Sequence, residues 1–220
     1  MKYAILNKNY ENFNHPKTQL PIRLYRIIAM KDFQIGDENE EITIREGTVG
    51  GLVQAKTLNG ELVCNLPQDD GSWIFNTAKL FDNAELKNSI LKDNAMVFGN
   101  AKLSNSIATG RSRCFDNCII EGSFLTDNVD ICDNAIVKNS QAFHASKICG
   151  NSEVINTELN GTNRIYSSFV RDSKMFDIAE VTRNSKVIGC HLSKRAVISN
   201  REITNETISE DIELNEIIME

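Results

Sequence analysis

The sequence predicts an all-β protein built as a three-sided parallel β-helix, and three observations carry that expectation. From Trp73 onward a small residue, a variable residue and an aliphatic residue recur at steps of six, five and six: Ala78-x-Leu80, Ala84-x-Leu86, Ser89-x-Leu91, Ala95-x-Val97, Ala101-x-Leu103 and Ser106-x-Ala108. The steps sum to 17 residues, and rows of 17 give coherent columns, one of which reads Ser89, Ser106, Ser123, Ser140, Thr157, then Ser173 and Cys190 after a row one residue short. Asparagine occurs 25 times and falls directly before the small residue at Asn83, Asn94, Asn100, Asn117, Asn128, Asn134, Asn151 and Asn184.

Each side of the predicted coil follows from strand geometry. Residues two apart share a strand face, so the small and aliphatic positions both point inward. The aliphatic position runs on through Cys114, Ile120, Leu125, Ile131 and Val137 to Ile198. Coils stacked at ~4.8 Å pair every backbone group with the coil above and below, so about seven coils make a rod of roughly 35 Å. Three buried aliphatics per coil, at ~1.5 to 3 kcal/mol each before conformational entropy, cannot hold one coil alone; many must stack. Asparagine at the corners is expected to supply the left-handed backbone of a sharp turn and to stack in amide ladders. A second column, Phe81, Phe98, Phe115, Cys132, Cys149 and Tyr166, would stack aromatic rings along the rod.

The chain divides accordingly. Residues 1–72 lack the register and contain two apolar or alternating runs, 22–30 and 41–44, with turn signals at Gly47 and Gly50-Gly51; they read as a small β-rich N-terminal cap. A solenoid end exposes strand edges and core, so it needs a cap. Residues 73–208 are the solenoid, with Trp73 sealing the first coil. Residues 209–220 are acidic with Ile212, Leu214, Ile217 and Ile218 interspersed, and read as a covering helix or strand or as an acidic tail.

The 220 residues are 41% apolar and 25% charged, the range of a folded domain. A net charge of −6 and a pI near 5.2 argue against direct nucleic-acid binding. No apolar run reaches the ~18 residues of a membrane span and the first residues lack a signal-peptide pattern, so no membrane association and a cytoplasmic location are expected. The six cysteines are therefore expected as free thiols. Cys132 and Cys149 fall in adjacent rows of one column, where the coil spacing would permit a disulfide, but the compartment favours reduction. Cys114 and Cys118 lack the partner ligands of a structural zinc site, and no metal is expected.

The six-residue unit Leu80-Phe81-Asp82-Asn83-Ala84-Glu85 resembles the hexapeptide repeat of left-handed β-helices. Upstream, Leu24-Tyr25-Arg26-Ile27-Ile28-Ala29 before Asp32-Phe33, then Gly50-Gly51-Leu52-Val53 and Trp73-Ile74-Phe75, resemble the start of YdcK-like bacterial and phage hexapeptide proteins, the resemblance covering residues 22 to about 205. It implies left-handed coils, and it carries the acyltransferase label common in that family, with acetyl-coenzyme A as cofactor and a histidine base near a subunit boundary. The regular five-residue side departs from the family repeat.

Three histidines are present. His15 lies in a polar run and offers little chemistry. His191 lies between inward Cys190 and Leu192 and points outward. His144 replaces the corner residue in the column Asp93, Gly110, Asp127, His144, Gly161, Asp177, one coil from Asp127, which could orient the imidazole as a general base. An exposed surface histidine is the plainer alternative for both. The outward residues Ile90, Ile107 and Phe124 form an apolar stripe, with Ile119 and Ile136 on the neighbouring side; they read as an interface, unless the cap or tail folds over them.

The reading that follows is a non-catalytic β-solenoid presenting flat faces to a protein partner or to copies of itself, without a cofactor. A coenzyme-A-dependent acyltransferase using His144 and Asp127 is the alternative. A phage-type inhibitor or nucleic-acid mimic, suggested by the acidic balance, is the second.

Overall fold

The computed structural model describes residues 1–36 and 41–215, and every regular element in them is a β-strand. Among the described residues, no helix is long and apolar enough to cross a membrane.

The N-terminal region contributes β1 (Tyr3–Asn14), β2 (Pro21–Ala29), β3 (Phe33–Gly36), β4 (Glu41–Ile44), β5 (Val49–Gln54), β6 (Lys56–Leu58) and β7 (Glu61–Val63). The first coil follows, with sides β8 (Trp73–Ile74), β9 (Lys79–Leu80) and β10 (Glu85–Lys87). Each side pairs in parallel with the strand 17 residues on: Trp73 with Ile90, Lys79 with Met96, Glu85 with Lys102. Repetition builds three parallel sheets, here called the Trp73, Lys79 and Glu85 sheets, of which the last has eight strands.

The rod thus has about eight coils rather than seven. Ile203, Ile208 and Leu214 keep the inward position, but two rows are a residue short, as Glu153 pairs with Phe169 and Lys186 with Glu202, 16 residues apart. Both deletions fall at the corner between the Lys79 and Glu85 sheets that elsewhere carries Asn83, Asn100, Asn117, Asn134 and Asn151. Within the acidic C-terminal segment, Glu213–Leu214 is a strand paired with Val197–Ile198; Ile217 and Ile218 lie outside the described residues.

The core is the stack of inward aliphatics, fully buried from Ile74 and Leu80 to Leu192 and Ile198. The serine column is a hydrogen-bonded ladder. Ser89 Oγ donates to Lys87 O at 2.8 Å and accepts from Ser106 N at 3.2 Å, and Ser106 and Ser123 repeat the pattern up to Ser140. Each hydroxyl therefore satisfies a buried polar group of its own coil and one of the next.

The asparagines divide their roles in a way that corrects the expectation. At most of these corners the left-handed backbone falls on the preceding residue, Asp82, Asp93, Asp116, Asp127 and Asp133 having φ between 58° and 64° and His144 taking the same place before Ala145; of the eight asparagines Asn184 keeps the expected conformation, with φ 60°. Asn83, Asn100, Asn117, Asn134 and Asn151 instead form an amide ladder, each Nδ2 donating to the Oδ1 one coil on at 2.9 to 3.2 Å. Left-handed asparagines do occur at another corner, at Asn88, Asn105, Asn139 and Asn156.

β1 and β2 form an antiparallel hairpin, β2 pairs with β5, and β5 joins the Lys79 sheet through Leu52 and Lys79. Gly50 and Gly51 permit this close approach: a Cβ on Gly51 would lie 2.7 Å from Ala78 O and collide with Ile74 Cγ2. Trp73 is fully buried beneath Tyr3 and Phe33. The β1–β2 hairpin also lies over the outer side of the solenoid, where Leu24, Leu52, Phe81 and Phe98 form a second cluster with Phe13, Ile22, Met96 and Phe115. The expected aromatic column is present, Phe81 stacking on Phe98 at 4.9 Å and Phe98 on Phe115 at 5.1 Å. The column continues into a disulfide, Cys132–Cys149, with Cα atoms 4.8 Å apart. This corrects the expectation of six free thiols: parallel stacking without lateral offset brings the two sulfurs together. Cys64, Cys114, Cys118 and Cys190 are free.

Candidate functional site

The described surface features of most interest are a groove on the Trp73 sheet and a histidine at one of its corners. The groove has a volume of about 470 Å³ and runs beside the β3–β4 hairpin, lined by Gly36, Ile42, Ile107, Phe124, Asn105 and Asn139 among others. Its floor follows from the repeat: the residue between the small and aliphatic positions points outward, and on this sheet that residue is apolar for several coils.

The hairpin changes the membership of the stripe. Ile90 is only 3% exposed and packs into the main core, so the expectation that it lies open is overturned; the cap covers the top of the stripe. Ile107 and Phe124 are half-buried and face the groove. Phe143, which the sequence reading missed, extends the apolar run, its ring 6.0 Å from that of Phe124. The signal was a strand lengthened to Gln141–His144, which brings a second outward position into the sheet. Ile119, 41% exposed, and half-buried Ile136 belong to the Glu85 sheet, a different face of the three-sided rod. A single flat contact through the groove therefore leaves them out.

His144 and Asp127 are brought together as neighbouring corners. His144 Nδ1 lies 3.5 Å from Asp127 Oδ2, and the His144 backbone N–H donates to the same oxygen at 3.2 Å. Both side chains are exposed, 63% and 49%. His144 itself has φ 59°, a left-handed corner with its amide tied to the coil below. The pair could orient an imidazole, but it stands on a convex edge and does not line the groove. His191 is exposed and stacks on Phe176 at 5.1 Å.

His15 differs most from the sequence reading. It is buried, with Nε2 3.0 Å from Asp82 Oδ2 and Nδ1 accepting the backbone N–H groups of Lys17 and Thr18 at 3.1 and 3.2 Å. Its ring sits edge-on to Phe81 and Phe98. Beside it, Lys17 pairs with Asp116 and lies over the Phe115 ring. No periodicity could have shown this, because the contacts join a hairpin tip to a column some 67 residues away. These contacts fix the hairpin; they leave no open position at the imidazole.

Three of the four free thiols among the described residues are held away from nucleophilic form. Burial pushes the Cys118 thiol up to about 12 and the Cys114 thiol well above its usual range. Burial also raises Cys64, despite its hydrogen bond with the Tyr3 hydroxyl. A protonated thiol is a poor nucleophile. Asp93 is lowered by hydrogen bonds from the Thr109 hydroxyl and the Gly110 N–H, which stabilise its carboxylate at a corner.

The 17-residue register, three parallel sheets and five- and six-residue sides define the architecture. It is a three-sided parallel β-solenoid. No protein-family model matches the chain, and no curated protein matches it. Among solved structures, a chain described as "putative acetyltransferase from Desulfovibrio desulfuricans G20" is similar at 11% identity with a TM-score of 0.30, over 60% of this chain and 49% of that one. The match thus spans about half the length of that protein, and at this TM-score it carries no argument about activity.

Proposed function

We propose that this chain is a non-catalytic β-solenoid that binds through the groove face of its Trp73 sheet, with a second copy of itself as the simplest occupant. The observation that supports this reading is the run Ile107, Phe124 and Phe143 left on an otherwise regular flat face after the cap has covered Ile90. A stripe along the rod axis is self-complementary under a two-fold axis lying in the plane of the contact, parallel to the face, so stripe can meet stripe in an isologous contact. Asn105 and Asn139 supply a polar rim, as interfaces of this kind carry. A different protein seated on the same face is the other form of the reading, and replacement of Ile107 and Phe124 by lysine would disrupt either one.

The second reading is a coenzyme-A-dependent acyltransferase, and the proximity of His144 Nδ1 to Asp127 Oδ2 favours it. In that reading Asp127 orients the imidazole, and His144 removes a proton from the acyl acceptor. Calorimetric titration with acetyl-coenzyme A tests it. The scaffold reading expects no heat of binding, whereas saturable binding with transfer activity lost in His144→Ala would replace it with the enzyme.

A further inference from the structure

We propose that Cys132, Cys149 and Asp133 form, when the disulfide is reduced, a binding site for one thiophilic divalent cation of the zinc or cadmium type. The donor atoms are already assembled: the two sulfurs and a carboxylate oxygen lie within 4.8 Å of one another. Cys132 Sγ is 3.8 Å from Asp133 Oδ2. Two thiolates at metal–sulfur distances of about 2.3 Å in a tetrahedral site stand about 3.8 Å apart. Side chains on adjacent coils whose Cα atoms are 4.8 Å apart can open to that separation by χ1 rotation alone.

The surroundings fit such an ion. Gly150 N–H donates to Asp133 Oδ2 at 2.8 Å and orients the carboxylate, while Asp133 itself is exposed and leaves an open side for entry and for a water as fourth ligand. The cysteines are 6% and 3% exposed, so the sulfur side of the site is shielded from solvent. Phe115 precedes and Tyr166 follows in the column, the Asn134–Asn151 amide pair runs alongside, and Asp116, one coil from Asp133, is neutralised by Lys17. The other thiols do not compete, because Cys114, Cys118 and Cys190 are buried in the core and Cys64 is engaged with the Tyr3 hydroxyl.

Reduction is by a dithiol. Its two thiols close into a disulfide, two electrons and two protons pass to Cys132 Sγ and Cys149 Sγ, and the cation then displaces both thiol protons as it forms two metal–sulfur bonds. Oxidation and metal binding are mutually exclusive at this pair, so the site reports the redox state of its surroundings.

The test uses the full chain, reduced with dithiothreitol, freed of reductant under anaerobic conditions and titrated with cadmium. The readout is thiolate-to-metal charge-transfer absorbance in the ultraviolet, with zinc affinity measured by competition with a chromophoric chelator. The expected result is one ion per reduced chain, none in the oxidised chain, loss in Cys132→Ser and in Cys149→Ser, and affinity weakened by at least roughly tenfold in Asp133→Asn. No absorbance from the reduced wild type, or the same absorbance from a folded Cys132→Ser, overturns the proposal. If the serine variants lose the β-sheet circular dichroism spectrum, Asp133→Asn decides, and unchanged affinity there overturns it as well.

Discussion

His15 shows how one side chain can join two parts of the chain that no repeat connects. Its Nε2–H serves Asp82 and its Nδ1 serves two backbone amides, so a neutral imidazole satisfies three partners at the tip of the β1–β2 hairpin. Replacement by alanine removes those bonds and the ring packing against Phe81 and Phe98. The expected cost is about 2 to 4 kcal/mol, seen as a lower urea midpoint, with faster amide exchange confined to residues 10–25. An unchanged midpoint would mean that the hairpin tip is held elsewhere. The sequence alone pointed to a polar loop here, since His15-Pro16-Lys17 has neither periodicity nor a motif. The corner residues were legible in kind and misassigned in detail. At the ladder corners aspartate or glycine directly before the asparagine takes the left-handed turn while the asparagine's amide joins the ladder between coils, whereas Asn184 takes the left-handed backbone itself.

At the scale of the strand, the register was readable because burial imposes it: every inward position in the 17-residue rows is aliphatic, alanine, serine or cysteine over most of the rod. The serine column tests this account at a single position. Ser106→Ala removes the acceptor for Ser123 N–H, and no water can reach so buried a group. The expected destabilisation is about 1 to 3 kcal/mol by thermal or urea unfolding, with the same fold by circular dichroism. A neutral result would show that the hydroxyl ladder only fills space. What periodicity could not show was the lateral packing of the cap. The β3–β4 hairpin, which lies away from the rows, covers Ile90, and a strand lengthened by two residues adds Phe143 to the stripe. The cross-coil cysteine pair was visible as a column, yet compartment reasoning placed it among the free thiols. The structure joins the pair, since adjacent rows bring identical positions together without offset.

The whole molecule is a rod of about eight coils with one end closed by Tyr3, Phe33 and Trp73 and one lateral cluster under the β1–β2 hairpin. Nearest-neighbour stacking makes such a rod stiff and its faces flat, which suits recognition along an extended line. The exposed His144–Asp127 corner is a weaker foundation for chemistry than the groove is for contact, because it has no shielding wall around it. The direct measurement is light scattering after size exclusion on the wild type and on an Ile107→Lys, Phe124→Lys double variant, with circular dichroism to establish that both are folded. The account predicts a wild-type mass at a multiple of 24.7 kDa and a folded double variant at the single-chain mass. A wild type that stays at the single-chain mass across concentrations, or an oligomer that survives both lysines, would contradict it.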